Sequence, residues 1–495
     1  MRKIKLKFES YELTRTILVR GLAFIAMFGF LILAFQGPGL LGSGGLTPVS
    51  QYLARSGLSF FDAPSLFWLT GASDRMIQVV AWVGVGLSVL ILLGLVSRGG
   101  TVVAGLGWAL LWVMYLSFVN VGQHWYAFGW EMLILEAMVL ATFLGGRNSQ
   151  APGLMIVLFR WLLFRLMVGA GLIKIRNDGC WLDLTCMYYH YETQPLPGPL
   201  SWFFHQLPAW VDQAGVVFNH IVELIAPFFF FGPRKARLAA GVLSILLQVM
   251  LLMSGNFTWL NALTVVLSFA CFDDRFLRRW QFSKPETQDV APIKRIHRWS
   301  ILVVVGLTLG LSVQPVLNLI SREQTMNRSY NSVHFVNTYG AFGSITKDRR
   351  EIVVSGTLDS VISPQTQWFE YEFKAKPGEP SHQPPQVTPY HYKLDWQMWF
   401  AAFREYAADE WFIQLMGRLL EGGEEVLGLM QFNPFPARPP NFIKADLYRY
   451  RFTTSDERRQ SGRWWDRTYL KPYLPPVHLD GSRLVRADTG SNQAP

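Results

Sequence analysis

Nine apolar segments in the first 320 residues constrain the fold of this chain more than any other feature of its sequence. A helix that crosses a bilayer needs about 20 mostly apolar residues. Segments that approach this length lie at 17–36, 76–96, 102–121, 126–145, 153–175, 216–232, 236–254, 257–272 and 299–319. They predict a polytopic α-helical membrane protein with about nine transmembrane helices. No small-residue cleavage site closes the first segment, so we expect a retained helix rather than a cleaved signal peptide.

The distribution of charge supports this prediction and suggests an orientation. Only 16% of the residues are charged, against roughly 25% in soluble domains. Cytoplasmic loops of membrane proteins are enriched in Lys and Arg, which accounts for the net charge of +10 without nucleic acid, for which no motif is present. With the N-terminus inside, we expect everything after about residue 320 to lie outside the cytoplasm. The basic residues in the connections that then return to the cytoplasm are Arg98, Arg147, Arg234, Lys235, Arg237, Arg275, Arg278 and Arg279.

The sequence beyond residue 320 has the pattern of a β-rich domain. Short runs rich in Val, Ile, Thr and aromatic residues over 331–375 and 444–452 predict strands. Residues 395–430 place Trp, Phe and Leu at three- and four-residue spacing, which predicts helices. The predicted order is a cytoplasmic N-terminus (1–16), a helical bundle (17–272) with outer loops at 37–75 and 176–215, a cytoplasmic linker (273–298), a last transmembrane helix (299–320), an extracytoplasmic β-rich (α+β) domain (321–475) and a flexible tail (476–495).

Two of the three cysteines, Cys180 and Cys186, lie in the predicted outer loop 176–215. In an oxidising compartment two such cysteines favour a disulfide. We expect it to be structural, because the CxxC spacing of redox-active pairs is absent, and redox exchange with a client protein is the alternative. A metal site is not expected, since there is no second cysteine pair and no pair of histidines at ligand spacing on one helix.

Ionisable residues inside the apolar segments are costly in a bilayer and usually have partners or face a cavity. Lys174 ends the fifth segment, where an ammonium that snorkels to the interface is the favoured interpretation and a desolvated base is the alternative. For the others we predict a buried carboxylate–guanidinium network that ties the helices together, with a polar binding cavity as the alternative. These other residues are Glu131, Glu136, Arg160, Arg165 and Glu223.

Further candidates surround the cysteine loop and recur in the outer domain. His124 precedes the fourth apolar segment, where it could serve acid–base chemistry. Large aromatic side chains supply surface for packing or for partner binding. The additional candidates for partner binding or for the polar network are Arg176, Asp178, Trp181, His190, Glu192, His220, Tyr339, Tyr390, His391 and Trp396.

Long segments in both parts of the chain carry a family resemblance. They include FGWEMLILE (128–136), FRLMVGAGLIKIRNDGCWLDLTCMYYHYETQPLP (164–197), NHIVELIAP (219–227), VNTYGAFGSITKDR (336–349), TPYHYKLDWQMWF (388–400) and ADLYRYRFT (445–453). These segments resemble the lipase maturation factors. The resemblance implies a membrane protein of the secretory pathway that helps secreted lipases, or other exported proteins, to reach an active folded or assembled state. It implies a folding factor rather than an enzyme, with no cofactor. A bacterial inner membrane is the preferred location, and the ER membrane is the alternative.

A shorter segment, AGLIKIRNDGCW (170–181), resembles vitamin K-dependent gamma-carboxylase and its bacterial relatives. There an AGxxK-type motif supplies a catalytic lysine base, which corresponds to Lys174, and its partner would be Glu131 or His124. The sequence departs from that family around these two residues, so the resemblance implies a shared fold more than a shared chemistry. The alternative function is therefore a membrane enzyme that acts on a lipid, a quinone-like molecule or a protein. A transporter is disfavoured, because the chain lacks paired Gly/Pro-broken helices in repeated halves.

Overall fold

The computed structural model describes residues 9–280, 290–481 and 483–487. Parts of the predicted cytoplasmic N-terminus (1–8), linker (281–289) and flexible tail (488–495) lie outside the described residues.

A helix occupies each of the nine apolar segments, because a chain in lipid must satisfy its backbone polar groups internally. The helices are α1 (Glu12–Leu41), α2 (Asp74–Leu92), α3 (Gly100–Val121), α4 (Gly129–Thr142), α5 (Gly153–Asn177), α6 (Ala209–His220, continued by a π-helical turn at Ile221–Ile225 and a 3-10 turn at Ala226–Phe231), α7 (Arg234–Ser254), α8 (Leu260–Ser268, continued by a 3-10 turn at Phe269–Cys271) and α9 (Arg295–Leu311, followed by Val313–Ile320). The shorter helical elements between them are Val49–Arg55, Phe67–Thr70, Leu95–Arg98, Gln123–Tyr126, Gly179–Leu182, Met187–Thr193, Ser201–His205, Asp274–Leu277 and Arg278–Trp280.

Within the described residues, seven of the nine helices are long and apolar enough to cross a membrane. The two shorter ones are α8 and α4, and α4 has 14 residues, of which 12 are buried. A helix that is buried all round belongs to the core of a bundle rather than to its lipid-facing surface. The predicted polytopic membrane domain is therefore confirmed, whereas the count of nine full-length crossings is not exact.

One end of the bundle, which we call the N-terminal face, brings together the start of α1 and the connections that follow α2, α4, α6 and α8. Asp274 accepts hydrogen bonds from the first amides of α1, at 3.0 Å from Glu12 N and 2.9 Å from Leu13 N. Arg15 donates to the carbonyl oxygens of Ser149 and Arg147 at 2.5 and 3.1 Å. The opposite end, the sheet-side face, carries the cysteine loop and the outer domain.

The outer domain is built on an antiparallel sheet in the order β2-β1-β5-β6-β7, accompanied by a separate β3-β4 pair. Along the sheet, Ile352 lies opposite Leu447, and both pack into the core. The strands are β1 (Arg349–Thr357), β2 (Phe369–Glu370), β3 (Glu372–Phe373), β4 (Met430–Phe432), β5 (Phe442–Phe452), β6 (Trp465–Asp480) and β7 (Arg483–Arg486). The helices are α10 (Lys393–Ala401), α11 (Glu410–Glu421), α12 (Glu424–Leu427) and α13 (Ser455–Ser461), with a 3-10 turn at Tyr406–Ala408. Thus the predicted membrane bundle followed by a β-rich domain is confirmed.

Two parts of the outer domain differ from the sequence predictions. Residues 331–348 form no strand: His334, Val336 and Phe342 have φ values of 52°, 62° and 54°, outside the β region. The predicted flexible tail from residue 476 instead continues β6 to Asp480 and includes β7, which pairs with β6. This stretch contains prolines, which are compatible with edge positions and with the bulges that β6 contains.

Candidate functional site

The ammonium of Lys174, near the end of α5, is held inside the bundle by an acidic and a polar side chain. Its Nζ lies 2.7 Å from each carboxylate oxygen of Glu223 and 3.1 Å from Oδ1 of Asn219. Lys174 and Glu223 are each only 4% exposed. The predicted snorkelling of Lys174 is therefore wrong, because its ammonium is buried and paired with Glu223 instead of reaching the interface.

The backbone of α6 explains why Glu223 reaches Lys174. Glu223 lies in the π-helical turn Ile221–Ile225, which interrupts the apolar helix. A π-helical turn changes the direction in which the following side chains project, and such turns are frequent at functional sites. Asn219, on the preceding turn, supplies the third acceptor for the same ammonium.

A cavity of about 50 Å³ lies beside this ion pair. The ammonium lies 5.0 Å from the ring centroid of Trp181. Two buried polar atoms in the cavity wall, Nε2 of His190 and Oδ1 of Asn261, have no hydrogen-bond partner within the described part of the chain. A polar cavity of this size has room for ordered water, which would satisfy such atoms.

His190 is neutral in this environment. Burial, and then the positive charge of Lys174, lower the pKa of His190 to about 3. Its ring lies nearly parallel to that of Phe257, at 5.9 Å between centroids, and edge-on to Phe342 at 5.3 Å. His190 is therefore packed as an uncharged aromatic ring in the cavity wall.

The cysteine loop joins this cavity to the outer domain. Cys180 and Cys186 form a disulfide, with their Cα atoms 4.8 Å apart. Asp178 accepts hydrogen bonds from Cys180 N at 3.1 Å and from Ile345 N at 3.0 Å. The indole of Trp181 donates to the carbonyl oxygen of Phe342 at 3.0 Å. The disulfide thus closes the loop, and hydrogen bonds from Ile345 and to Phe342 hold it against the segment that leads into the outer domain.

A second buried ion pair, Glu136 with Arg165, anchors the segment that enters the outer domain. The two side chains are hydrogen-bonded and each is 1% exposed. Glu136 also accepts hydrogen bonds from Asn337 N at 3.1 Å and from the Tyr339 hydroxyl at 2.8 Å, while Arg165 donates to the Asn337 carbonyl at 2.7 Å. These bonds satisfy the backbone N–H and the carbonyl oxygen of Asn337 without a strand partner.

A third buried ion pair crosses directly between the bundle and the outer domain. Nζ of Lys393, at the start of α10, lies 2.8 Å from Glu131 of α4 and 2.9 Å from the carbonyl oxygen of Trp125. The Tyr115 hydroxyl also donates to Glu131. Burial lowers the pKa of Lys393, and the negative charge of Glu131 opposes this effect. Gln36 of α1 accepts from Lys393 N at 3.0 Å, which fixes the start of α10 against the bundle.

The predicted candidates therefore divide among separate clusters rather than forming one network. Arg160 bonds to Ala270 O and the Tyr11 hydroxyl near the N-terminal face. Neither Glu131 nor His124 bonds to Lys174 among the described residues; His124 packs against Trp125, and burial lowers its pKa to about 4.

The other candidates have structural contacts on the sheet-side face. Arg176 donates to Gln324, Glu192 accepts from Phe452 N, the His220 ring bonds with Trp181 O, and Tyr390 accepts from Gln36. His391 is enclosed by Trp130 and Trp396, at 5.7 and 5.4 Å between ring centroids, and burial holds its pKa well below the usual range.

Sequence reasoning missed several residues of the domain junction. Among them, Arg349 donates to Glu351 at 2.6 Å and to the carbonyl oxygens of Gln194 and Pro195, and both charged side chains are fully buried. Asn337 and Lys393 were also missed. A charged or amide residue in a polar, soluble-type sequence gives no local sign that it is buried. In the described ranges, no group of three or more His, Cys, Asp or Glu side chains could hold a metal ion.

The fold and these contacts define a class of protein: a multi-pass α-helical membrane protein whose β-rich domain is fixed on one face of the bundle by buried ion pairs. The sequence matches the family models for the lipase maturation factor transmembrane domain, over residues 13–279, and for the lipase maturation factor C-terminal domain, over residues 335–475. The chain belongs to the lipase maturation factor family, as the sequence motifs predicted.

Individual relatives are similar over nearly their whole length. Lipase maturation factor 1 of Mus musculus is 42% identical over 95% of this chain and 88% of that protein. Lipase maturation factor 1 of Homo sapiens is 41% identical over 97% of this chain and 90% of that protein. Lipase maturation factor 2 of Homo sapiens is 30% identical over 96% of this chain and 84% of that protein. No solved structure matches the chain.

Proposed function

We propose that this protein is a membrane-bound maturation factor that assists secreted lipases to reach an active folded or assembled state. The observation that carries the proposal is the agreement of both the bundle and the outer domain with one family, whose named members mature lipases. Other exported proteins remain predicted clients.

The geometry supports a client-binding platform. The outer domain is joined to the bundle through Glu131–Lys393 and through the contacts of Glu136 with residues 337–339, so its orientation is fixed. Its outer surface exposes large apolar side chains, among them Phe432 at 54% and Tyr469 at 51%. Exposed aromatic side chains supply apolar surface for partner binding. The client is therefore proposed to bind the outer domain, within 331–470.

The enzyme alternative finds less support in the geometry. A general base must offer a lone pair to its substrate. The Lys174 ammonium instead donates to Glu223 and Asn219, and the proposed partners of the base have other contacts: Glu131 pairs with Lys393, and His124 packs against aromatic rings. This arrangement favours a structural role for Lys174.

The orientation and domain limits belong to the same proposal. The N-terminal face, with its basic connections, is cytoplasmic, and the sheet-side face lies in the periplasm or the ER lumen. The bundle spans 17–272 and the last crossing 299–320, and the outer domain begins at residue 321 and includes β6 and β7, which end at Asp480 and Arg486. The disulfide supports an oxidising compartment on the sheet-side face. The preference for a bacterial inner membrane over the ER stays a prediction from the sequence.

The test is the specific activity of a secreted lipase, measured as activity per mass of lipase, in cells that lack this gene. We expect specific activity to fall on deletion and to be restored by the wild-type chain. Lys393→Met, which breaks the junction, restores less than Lys471→Met, which changes an exposed lysine of the same domain. Unchanged specific activity on deletion would overturn the proposed function.

A further inference from the structure

An open groove of about 570 Å³ lies at the N-terminal face between α1, α7 and the end of α8. Its walls are mostly apolar, and its volume falls within the range of about 300–1,000 Å³ that is usual for small-molecule sites. The apolar residues that line it include Leu13, Ile17, Val242, Ile245, Phe272 and Phe276.

One face of α1 forms part of the groove wall. Leu13, Thr16, Ile17 and Arg20 follow one another at helical spacing, so they share a face. Arg20 is exposed, and no carboxylate lies within ion-pair distance of it in the parts of the chain that the structure describes. An arginine in an apolar helix usually has a partner. The groove therefore combines an apolar wall with a cation that protein groups leave available.

The acidic side chains nearby are already engaged by other groups. Asp273 accepts hydrogen bonds from Arg234 at 2.5 and 2.8 Å. Glu9 accepts from Arg237 at 2.9 Å, and Asp274 accepts from the first amides of α1. Arg20 in the groove wall, and the arginines that lie close in sequence to the lining residues Phe276 and Leu277, have no such acidic partners among residues 9–280, 290–481 and 483–487. These exposed arginines are Arg20, Arg275, Arg278 and Arg279.

We propose that this groove binds an anionic phospholipid. An acyl chain lies against Ile17, Val242 and Ile245, and the headgroup phosphate is held by Arg20 together with the arginines that flank Phe276. The surrounding bilayer supplies the ligand, and these arginines select a headgroup with net negative charge over a zwitterionic one. The site is separate from the proposed client surface, which lies at the other end of the bundle.

The experiment measures binding of phosphatidylglycerol and of phosphatidylcholine to the purified full-length protein in mild detergent, by native mass spectrometry. We expect the wild type to prefer phosphatidylglycerol. Arg20→Gln weakens phosphatidylglycerol binding about fivefold, because one basic residue near a membrane surface contributes about 1 kcal/mol, while Arg20→Lys retains most of it. Ile17→Trp, which fills the groove, weakens binding of both lipids.

Two matched controls separate the groove from the general membrane surface. Arg98→Gln removes an exposed arginine of the same face outside the groove, and Leu106→Trp enlarges a lipid-facing side chain of α3 that is 65% exposed. Neither control changes binding if the proposal holds. Equal binding of the two lipids by the wild type, or an effect of Arg98→Gln as large as that of Arg20→Gln, would overturn it. A failure of lipase maturation in the gene-deletion test would leave this result unaffected.

Discussion

Replacing Lys174 by methionine tests whether its ion pair supports the bundle or performs chemistry. Lys174→Met keeps the length of the aliphatic stem and removes the charge that Glu223 meets at 2.7 Å on both oxygens. Glu223, 4% exposed, is then left as a buried carboxylate without its cation. Glu223→Leu in the same chain removes that second charge.

The expected changes in the free energy of unfolding follow from the burial of the Lys174–Glu223 ion pair. Removing one partner of a buried ion pair costs about 3–5 kcal/mol, whereas replacing both by apolar residues of similar volume is often nearly neutral. We therefore expect Lys174→Met to lower the free energy of unfolding by about 3–5 kcal/mol, a large part of a typical total of about 5–15 kcal/mol. The double variant Lys174→Met/Glu223→Leu recovers about 2 kcal/mol or more, even though Asn219 loses a donor.

The assay pairs thermal unfolding of the purified variants with the lipase rescue that each supports in cells lacking the gene. If Lys174 is structural, the single variant loses stability and rescue together, and the double variant regains both. A double variant that is as stable as the wild type but rescues no lipase activity would refute this reasoning, and would assign Lys174 a chemical role.

Three further perturbations test other parts of the structure. The folded-state pKa of His190, about 3, lies below its unfolded value of about 6.5, so the stability that neutral His190 contributes is present above pH 6.5 and is lost as the pH falls. The loss of stability from this residue amounts to about 2 kcal/mol between pH 7 and pH 5. His190→Phe should therefore flatten that part of a stability–pH profile. Lys393→Met should destabilise the protein by about 3 kcal/mol and speed limited proteolysis at the domain junction, with Lys471→Met indistinguishable from wild type; equal proteolysis of the two would count against the junction. Replacing Cys180 and Cys186 together by serine should cost about 2 kcal/mol and reduce lipase rescue only in proportion to that loss; a complete loss of rescue by a stable variant would favour the redox alternative.

The helices and most of the outer elements could be predicted because their signals are local. An apolar run of membrane length predicts a crossing wherever it occurs, and β5 (Phe442–Phe452) carries its own pattern of aromatic and apolar residues. The shortness of α4 was harder to predict, since its apolar composition does not reveal that protein rather than lipid surrounds it.

The pairing of the buried charges could not be predicted from the sequence. Lys174 and Glu223 are 49 positions apart, and their contact depends on a π-helical turn for which we identified no sequence signal. Lys393 and Glu131 are 262 positions apart and belong to different domains. The sequence indicated which charges in the apolar segments were costly, but their partners are determined by packing.

The irregular segment 331–348 shows the same limit on a smaller scale. Its residues have β propensity, but Asn337 and Tyr339 bond to Glu136, and these contacts take the place of a strand partner. Tertiary contacts thus overrode the local preference.

The most direct test of the account is site-specific photocrosslinking in living cells during lipase secretion. A crosslinking residue is introduced at Phe432 or Tyr469 on the outer domain, and at Arg98 on the N-terminal face as the control. The account predicts that the newly made lipase is captured from the outer-domain positions and not from position 98. Capture from position 98 alone, or no capture from either outer position while the lipase still matures, would contradict it.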